Sequence, residues 1–216
     1  MSASESNSRL ILCGAIAGPL FAIMFMVLGA NRSGYDPLRH PVSALSLGDG
    51  GWLQILTFLV TGGLLAAFAL ALWQSRAVHG STLGAASIGL AALGLIGAGI
   101  FPTDPIGGYP VGSPADSSSV VGLLHGMASM LFFAGIGLAM VFFGWHFFRD
   151  QKTGWLTYTA LSLLAFAGFF AAASIGFQHG PTFEPYAGAL QRICLLVGFL
   201  WVMLLAWSRR PAPVTA

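Results

Sequence analysis

Few residues of this chain could do chemistry: Asp104, His125, His40, His179, Ser43 and Arg192 stand out. A histidine titrates near neutrality, so His125 could serve as a general base or a metal ligand, with Asp104 orienting it. Such a pair would activate a water or the Ser43 hydroxyl. His40, His125 and His179 come from three separate segments and could assemble a zinc site, although their spacing matches no recognised ligand motif; no cofactor is otherwise predicted. Tyr35, Asp36, Arg39, Glu184 and Arg192 add polar groups that could bind a lipid headgroup or another small ligand. A plainer role competes for each residue. Asp104 could simply form a turn between prolines, His125 could be a satisfied helix histidine, and Ser43 could bond to backbone. Arg192 could snorkel to water or pair with Asp104 or Glu184, while His40 and His179 could be solvated. His79 and His146 read as solvent-facing.

The elements that must hold these groups follow from composition. Of 216 residues, 56% are hydrophobic and 7% charged, with a mean hydropathy of +0.80. A water-soluble domain carries about 25% charged residues, so the sequence predicts an integral membrane protein. Gly and Pro show no period and there are two cysteines, which excludes a collagen-like chain and a disulfide scaffold. Six apolar stretches are long enough to span a bilayer, at about 10–29, 52–73, 83–101, 120–145, 155–177 and 187–207. They are apolar all round and show no alternation of period two, so the expected fold is an all-α, six-helix transmembrane bundle forming a single domain over 1–216.

Orientation is read from basic residues. With the N-terminus in the cytoplasm, Arg9, Arg76, Arg149, Lys152, Arg209 and Arg210 lie inside, and only Arg32, Arg39 and Arg192 outside. Asp36, Asp49, Asp104, Asp116 and Glu184 fall outside under the same assignment, and Trp73, Trp145, Trp155 and Trp207 form an inner aromatic belt. Both termini are therefore expected in the cytoplasm. Met1 to Arg9 is polar and the next stretch long enough to span, which reads as a retained first helix in place of a signal peptide. Cys13 and Cys194 fall near opposite ends of their helices, too far apart for a disulfide.

Small residues at four-residue spacing let helix backbones approach closely in lipid. Helix 5 carries Gly168, Ala172 and Gly176, and helix 3 carries Ala85 with Gly89 and Gly94 with Ala98, so helices 3 and 5 are expected at the centre. Asp104 follows helix 3, His125 opens helix 4, His179 follows helix 5 and Arg192 sits one turn into helix 6. All four should lie at similar depth, and Asp104, His125 and Arg192 are expected in one outward-opening cavity. The loop carrying Tyr35 to Ser43 should flank it, with a short helical turn after Pro41.

Three motifs, GYDPLRHPVSALSLGDGGWLQ at 34–54, GIFPTDP at 99–105 and LHG at 124–126, resemble those of the multi-pass family termed domain of unknown function 998. The resemblance covers nearly the whole chain. It implies a six-helix fold and a prokaryotic plasma-membrane setting, with no established activity. Some relatives carry a second His one turn after the LHG His, where this chain has Ser129.

Two functional readings stay open. The first is a polar outer-face cavity that binds a lipid headgroup or small ligand. The second is a membrane-embedded hydrolase or lipid-modifying enzyme using His and Asp, with or without zinc, at the same place. A b-type haem is disfavoured because His125 and His146 share a helix but stand roughly 31 Å apart. A transporter would need an inverted repeat, a channel a filter or charge ring, and a nucleic-acid partner a wider basic run, none of which is present in the sequence.

Overall fold

A computed structural model describes residues 3–75, 81–114 and 117–209. Arg76, His79, Asp116 and Arg210 lie outside the described residues. The helices are α1 (Ala3–Ala30), α2 (Gly51–Gln74), α3 (Thr82–Ile100), α4 (Val120–Arg149), α5 (Thr153–Phe177) and α6 (Ala187–Ser208), with 3₁₀ turns at Val42–Ser46 and Glu184–Tyr186. Six helices are long and apolar enough to cross a membrane. No strand is present among the described residues, only an isolated bridge between Ile106 and Tyr109. An even number of crossings returns both ends of the chain to one side. The loops of residues 31–50, 101–119 and 178–186 gather at the other, called here the loop-rich end.

Each helix packs on its neighbour in sequence, and α6 closes the ring against α1. The closest approach is between α3 and α4. A Cβ on Gly135 would stand 2.5 Å from the Ala91 nitrogen, and one on Gly94 would stand 2.6 Å from the Ala128 oxygen. Glycines thus interlock in both directions, and Ala85, Ala91 and Ala98 are buried along the same helix. Without a hydrophobic drive in lipid, this backbone proximity supplies dispersion contact that larger side chains would forbid.

The expectation for helix 5 is overturned. Its most apolar window is 22% buried against 56% for α3, which places it at the periphery. The four-residue stripe is not one packing face. Gly168 meets open space, while Gly176 packs on the Phe183 backbone and Ala187 beyond the helix. Aromatic rings separate α5 from α4 instead, with the Phe133 ring tilted against Phe170 and Phe166 at 4.7 and 6.1 Å between centres. A polar bond ties α5 to α6, since the buried Trp201 indole donates to Thr159 Oγ1 at 3.1 Å.

At the end holding the termini, Trp73, Trp145 and Trp207 are exposed. Trp155 instead packs on Phe147, 5.5 Å between ring centres. His146 is not solvent-facing as expected. Its side chain is 15% exposed and lies 3.4 Å from Asp150, one helical turn on. Arg209 is buried over the rings of Phe143 and Phe147. Cys13 and Cys194 are free thiols.

Candidate binding site at the loop-rich end

The first loop folds around its own short-range bonds. The Asp36 carboxylate accepts from the Leu38 amide at 2.9 Å, and the Asp36 carbonyl accepts from the Arg39 and His40 amides. Asp36 thereby builds a turn, as short polar side chains do. The Asp36 amide in turn donates to His40 Nδ1 at 2.9 Å. That nitrogen is therefore the acceptor of a neutral imidazole, and its Nε2–H donates to the Gly107 carbonyl at 3.3 Å. The His40 ring is buried between Tyr35 and Tyr109, 5.5 and 5.4 Å between centres. A loop histidine expected to be solvated instead joins the first loop to the α3–α4 loop.

Two arginines clamp this loop by its carbonyl oxygens. Arg32 donates to Leu47 and Leu45 at 3.1 and 3.2 Å, and also to Asp49. From α6, Arg192 Nη1 donates to Pro37, Gly188 and His40 at 2.7, 2.9 and 3.0 Å, while Nη2 meets the Tyr35 hydroxyl. The Tyr35 hydroxyl in turn donates to the Pro41 carbonyl at 3.0 Å. Burial raises the Tyr35 pKa, outweighing the pull of the nearby guanidinium, so the phenol remains a neutral donor. Arg192 also lies over the Phe25 and Tyr35 rings, 5.7 and 5.5 Å from their centres. Neither snorkelling nor a carboxylate pair accounts for it: a planar fork of donors suits converging carbonyls, and the loop supplies them. The Gln191 side chain accepts from the Val42 amide at 2.8 Å and the Leu38 carbonyl from the Ala189 amide at 3.0 Å, completing the seam. Gly188 permits it, because a Cβ there would overlap the His40 and Pro37 oxygens.

Asp104 and His125 form a second group. Asp104 accepts from the Ser119 amide at 2.8 Å and from its hydroxyl at 2.7 Å, and Ser119 caps α4 by accepting from Gly122 at 3.0 Å. A carboxylate at this helix start complements the amide dipoles. A Cβ on Gly122 would collide with that carboxylate. Gly122→Ala is accordingly expected to displace Asp104 and lower stability by about 1 kcal/mol, read as an earlier loss of helical signal on thermal unfolding. The side chain of His125, itself buried, donates from Nδ1 to the Phe101 carbonyl at 2.7 Å, leaving Nε2 as the ring's acceptor. Asp104 and His125 thus each hold backbone, and neither lines the cleft or the cavity described below.

The third group is solvent-facing. Arg39 and His179 approach the same Glu184 oxygen, at 3.6 and 3.7 Å. They border a cleft of about 30 Å³ whose wall includes His40, Gly107 and Phe177, room for a water or two. Among the described residues no three His, Cys, Asp or Glu side chains come together as a metal-ligand group. Ser43 sits in the Val42–Ser46 turn, as expected after Pro41, but faces an inner cavity and not a histidine.

Of the residues that build this end, Tyr109, Gln191 and Ser119 were not singled out from the sequence. Ser119 carried a readable signal, a capping serine directly before an apolar run. Tyr109 in GGYP and Gln191 within a helix carried none.

A family model described as "Protein of unknown function (DUF998)" matches residues 15–208. The chain belongs to the DUF998 family. No curated protein matches it, and no solved structure does. In this DUF998 chain the matched span runs from the middle of α1 to the end of α6 and takes in all three groups above.

Proposed function

We propose that this DUF998 protein is a plasma-membrane binding protein whose loop-rich end faces outward, with both termini in the cytoplasm, and that its rim takes the anionic group of a lipid headgroup or small ligand. The observation that carries this reading is the shared carboxylate: Arg39 and His179 both lean on one Glu184 oxygen at the mouth of a cleft. Long, exposed ion pairs contribute about 0–1 kcal/mol, so a phosphate or carboxylate group could displace Glu184 at small cost. Arg192, Arg32 and His40 differ, because their bonds are occupied in shaping the wall. The hydrolase reading has less support, since Asp104 and His125 bond to separate backbone and hydroxyl partners and not to each other.

The test is lipid retention by protein purified in mild detergent and offered phosphatidylglycerol, followed by native mass spectrometry. Arg39→Ala is expected to weaken binding about tenfold, the loss of one charge-assisted contact. Equal retention by wild type and an Arg39→Ala, His179→Ala double variant overturns the proposal.

A further inference from the structure

Beneath the first loop lies a second cavity, about 40 Å³, walled by α1, α2, α3, α4 and α6 but not by α5. Its deep lining is aromatic and aliphatic, with Phe21, Phe58, Phe132 and Leu195 buried. Its polar lining is Ser43 from the roof, Ser129 from α4 and Gln191 from α6. Gln191 has its oxygen engaged by the Val42 amide, which leaves the amide NH₂ as a donor. Ser129 behaves unlike Thr57 and Ser87, whose hydroxyls bond back to the carbonyl four residues earlier. Among the described residues, neither Ser129 nor the Ser43 hydroxyl has a side-chain hydrogen-bond partner. Not one charged residue contributes to the wall.

The neighbouring face of α2 is equally unsatisfied. Among the described residues, neither amide atom of the fully buried Gln54 has a partner, and the buried Thr61 hydroxyl has none either. Both share a helix face with Phe58, at spacings of four and three residues. A polar group left unpaired in hydrocarbon costs several kcal/mol. Gln54 and Thr61 do not line the cavity themselves; the unbonded hydroxyls of Ser43 and Ser129 and the free Gln191 amide on its wall mark a place where a hydrogen-bonding group fits. The lining residues with exposed surface are Ser43, Ser129, Phe133 and Gln191, so the opening lies on the α4 side of the loop, where Phe133 meets Phe170 of α5.

We infer that this cavity binds an uncharged single-chain amphiphile. Its hydroxyl or ester head meets Ser43, Ser129 and Gln191 beneath the loop, and its chain runs past Phe133 and leaves the bundle between α4 and α5. The absence of charge on the wall selects against a carboxylate or phosphate head, since an ionised group would enter without a counter-charge. The site is separate from the rim cleft, which is lined by Arg39, His179 and Glu184.

The experiment uses the full chain in nanodiscs of zwitterionic lipid and a monoolein analogue with a diazirine in its acyl chain. Adducts are mapped by peptide mass spectrometry. Labelling is expected to concentrate on α4 and α5 near Phe133 and Phe170, to be competed by monoolein and not by oleate, and to be unchanged in Arg39→Ala. It should fall about tenfold in Ser129→Phe, which fills the cavity, and severalfold in a Ser129→Ala, Gln191→Leu double variant, which removes two hydrogen-bonding side chains. Protection of the buried Cys194 from maleimide shows that each variant has folded. Labelling spread over α1 and α2 and unaltered in folded Ser129→Phe, or oleate competing as well as monoolein, overturns the inference.

Discussion

Replacing Arg192 with alanine is expected to release the first loop from the bundle and to destabilise the protein by about 3–5 kcal/mol. The guanidinium is the common donor to Pro37, His40 and Gly188 and also meets Tyr35. Its removal strips the Pro37 carbonyl of its side-chain donor and leaves the His40 carbonyl only the Tyr35 hydroxyl at 3.3 Å in a half-buried seam, and such oxygens cost more unpaired than the bonds contribute when made. Lysine is expected to rescue little, because an ammonium is a point charge on a flexible stem and cannot serve so many acceptors from one plane. The readout is maleimide capture of Cys194, two residues along α6 and fully buried in the native protein. Its half-time should shorten in Arg192→Ala and nearly as much in Arg192→Lys. Equal half-times for wild type and both variants would remove Arg192 from its structural role.

A substitution at Gly135 should be comparably damaging for a different reason. Valine there would need space occupied by the Ala91 backbone and the Ser87 carbonyl, so α3 and α4 must separate, at a cost of about 3 kcal/mol. Gly168→Val is the matched control. Nothing lies within 4 Å of a Cβ at that position, and the change is expected to stay within about 0.5 kcal/mol. Unfolding in increasing sodium dodecyl sulfate, followed by helical signal, compares the two variants directly. A Gly168→Val variant as unstable as Gly135→Val would contradict the peripheral placement of α5.

That contrast also marks where sequence reasoning succeeds and where it stops. Length and hydropathy located every span, because a bilayer imposes one scale on all of them. A small-residue stripe, by contrast, says only that close approach is permitted. On α3 the approach occurs, while on α5 the neighbouring Phe166 and Phe170 hold α4 at arm's length, and the stripe looks the same in either case. At the site, Tyr35, His40 and Arg192 were recognisable as polar residues placed near one end. Their joining was not legible, since it depends on carbonyl groups that every residue possesses and only a folded loop aims. For the same reason Asp104 and His125 suggested a dyad, while their actual partners are a serine downstream and a backbone oxygen.

The contacts of Arg192 also impose an order on biogenesis. Its partner Pro37 precedes it by 155 residues, so at about 5–20 residues per second the first loop waits roughly 8–30 s for the helix that fastens it. Throughout that interval the loop between the first two crossings has its own bonds and its Gly107 contact but lacks its attachment to α6. A ribosome stalled before the sixth crossing would therefore leave this segment more open to proteases than the completed chain does.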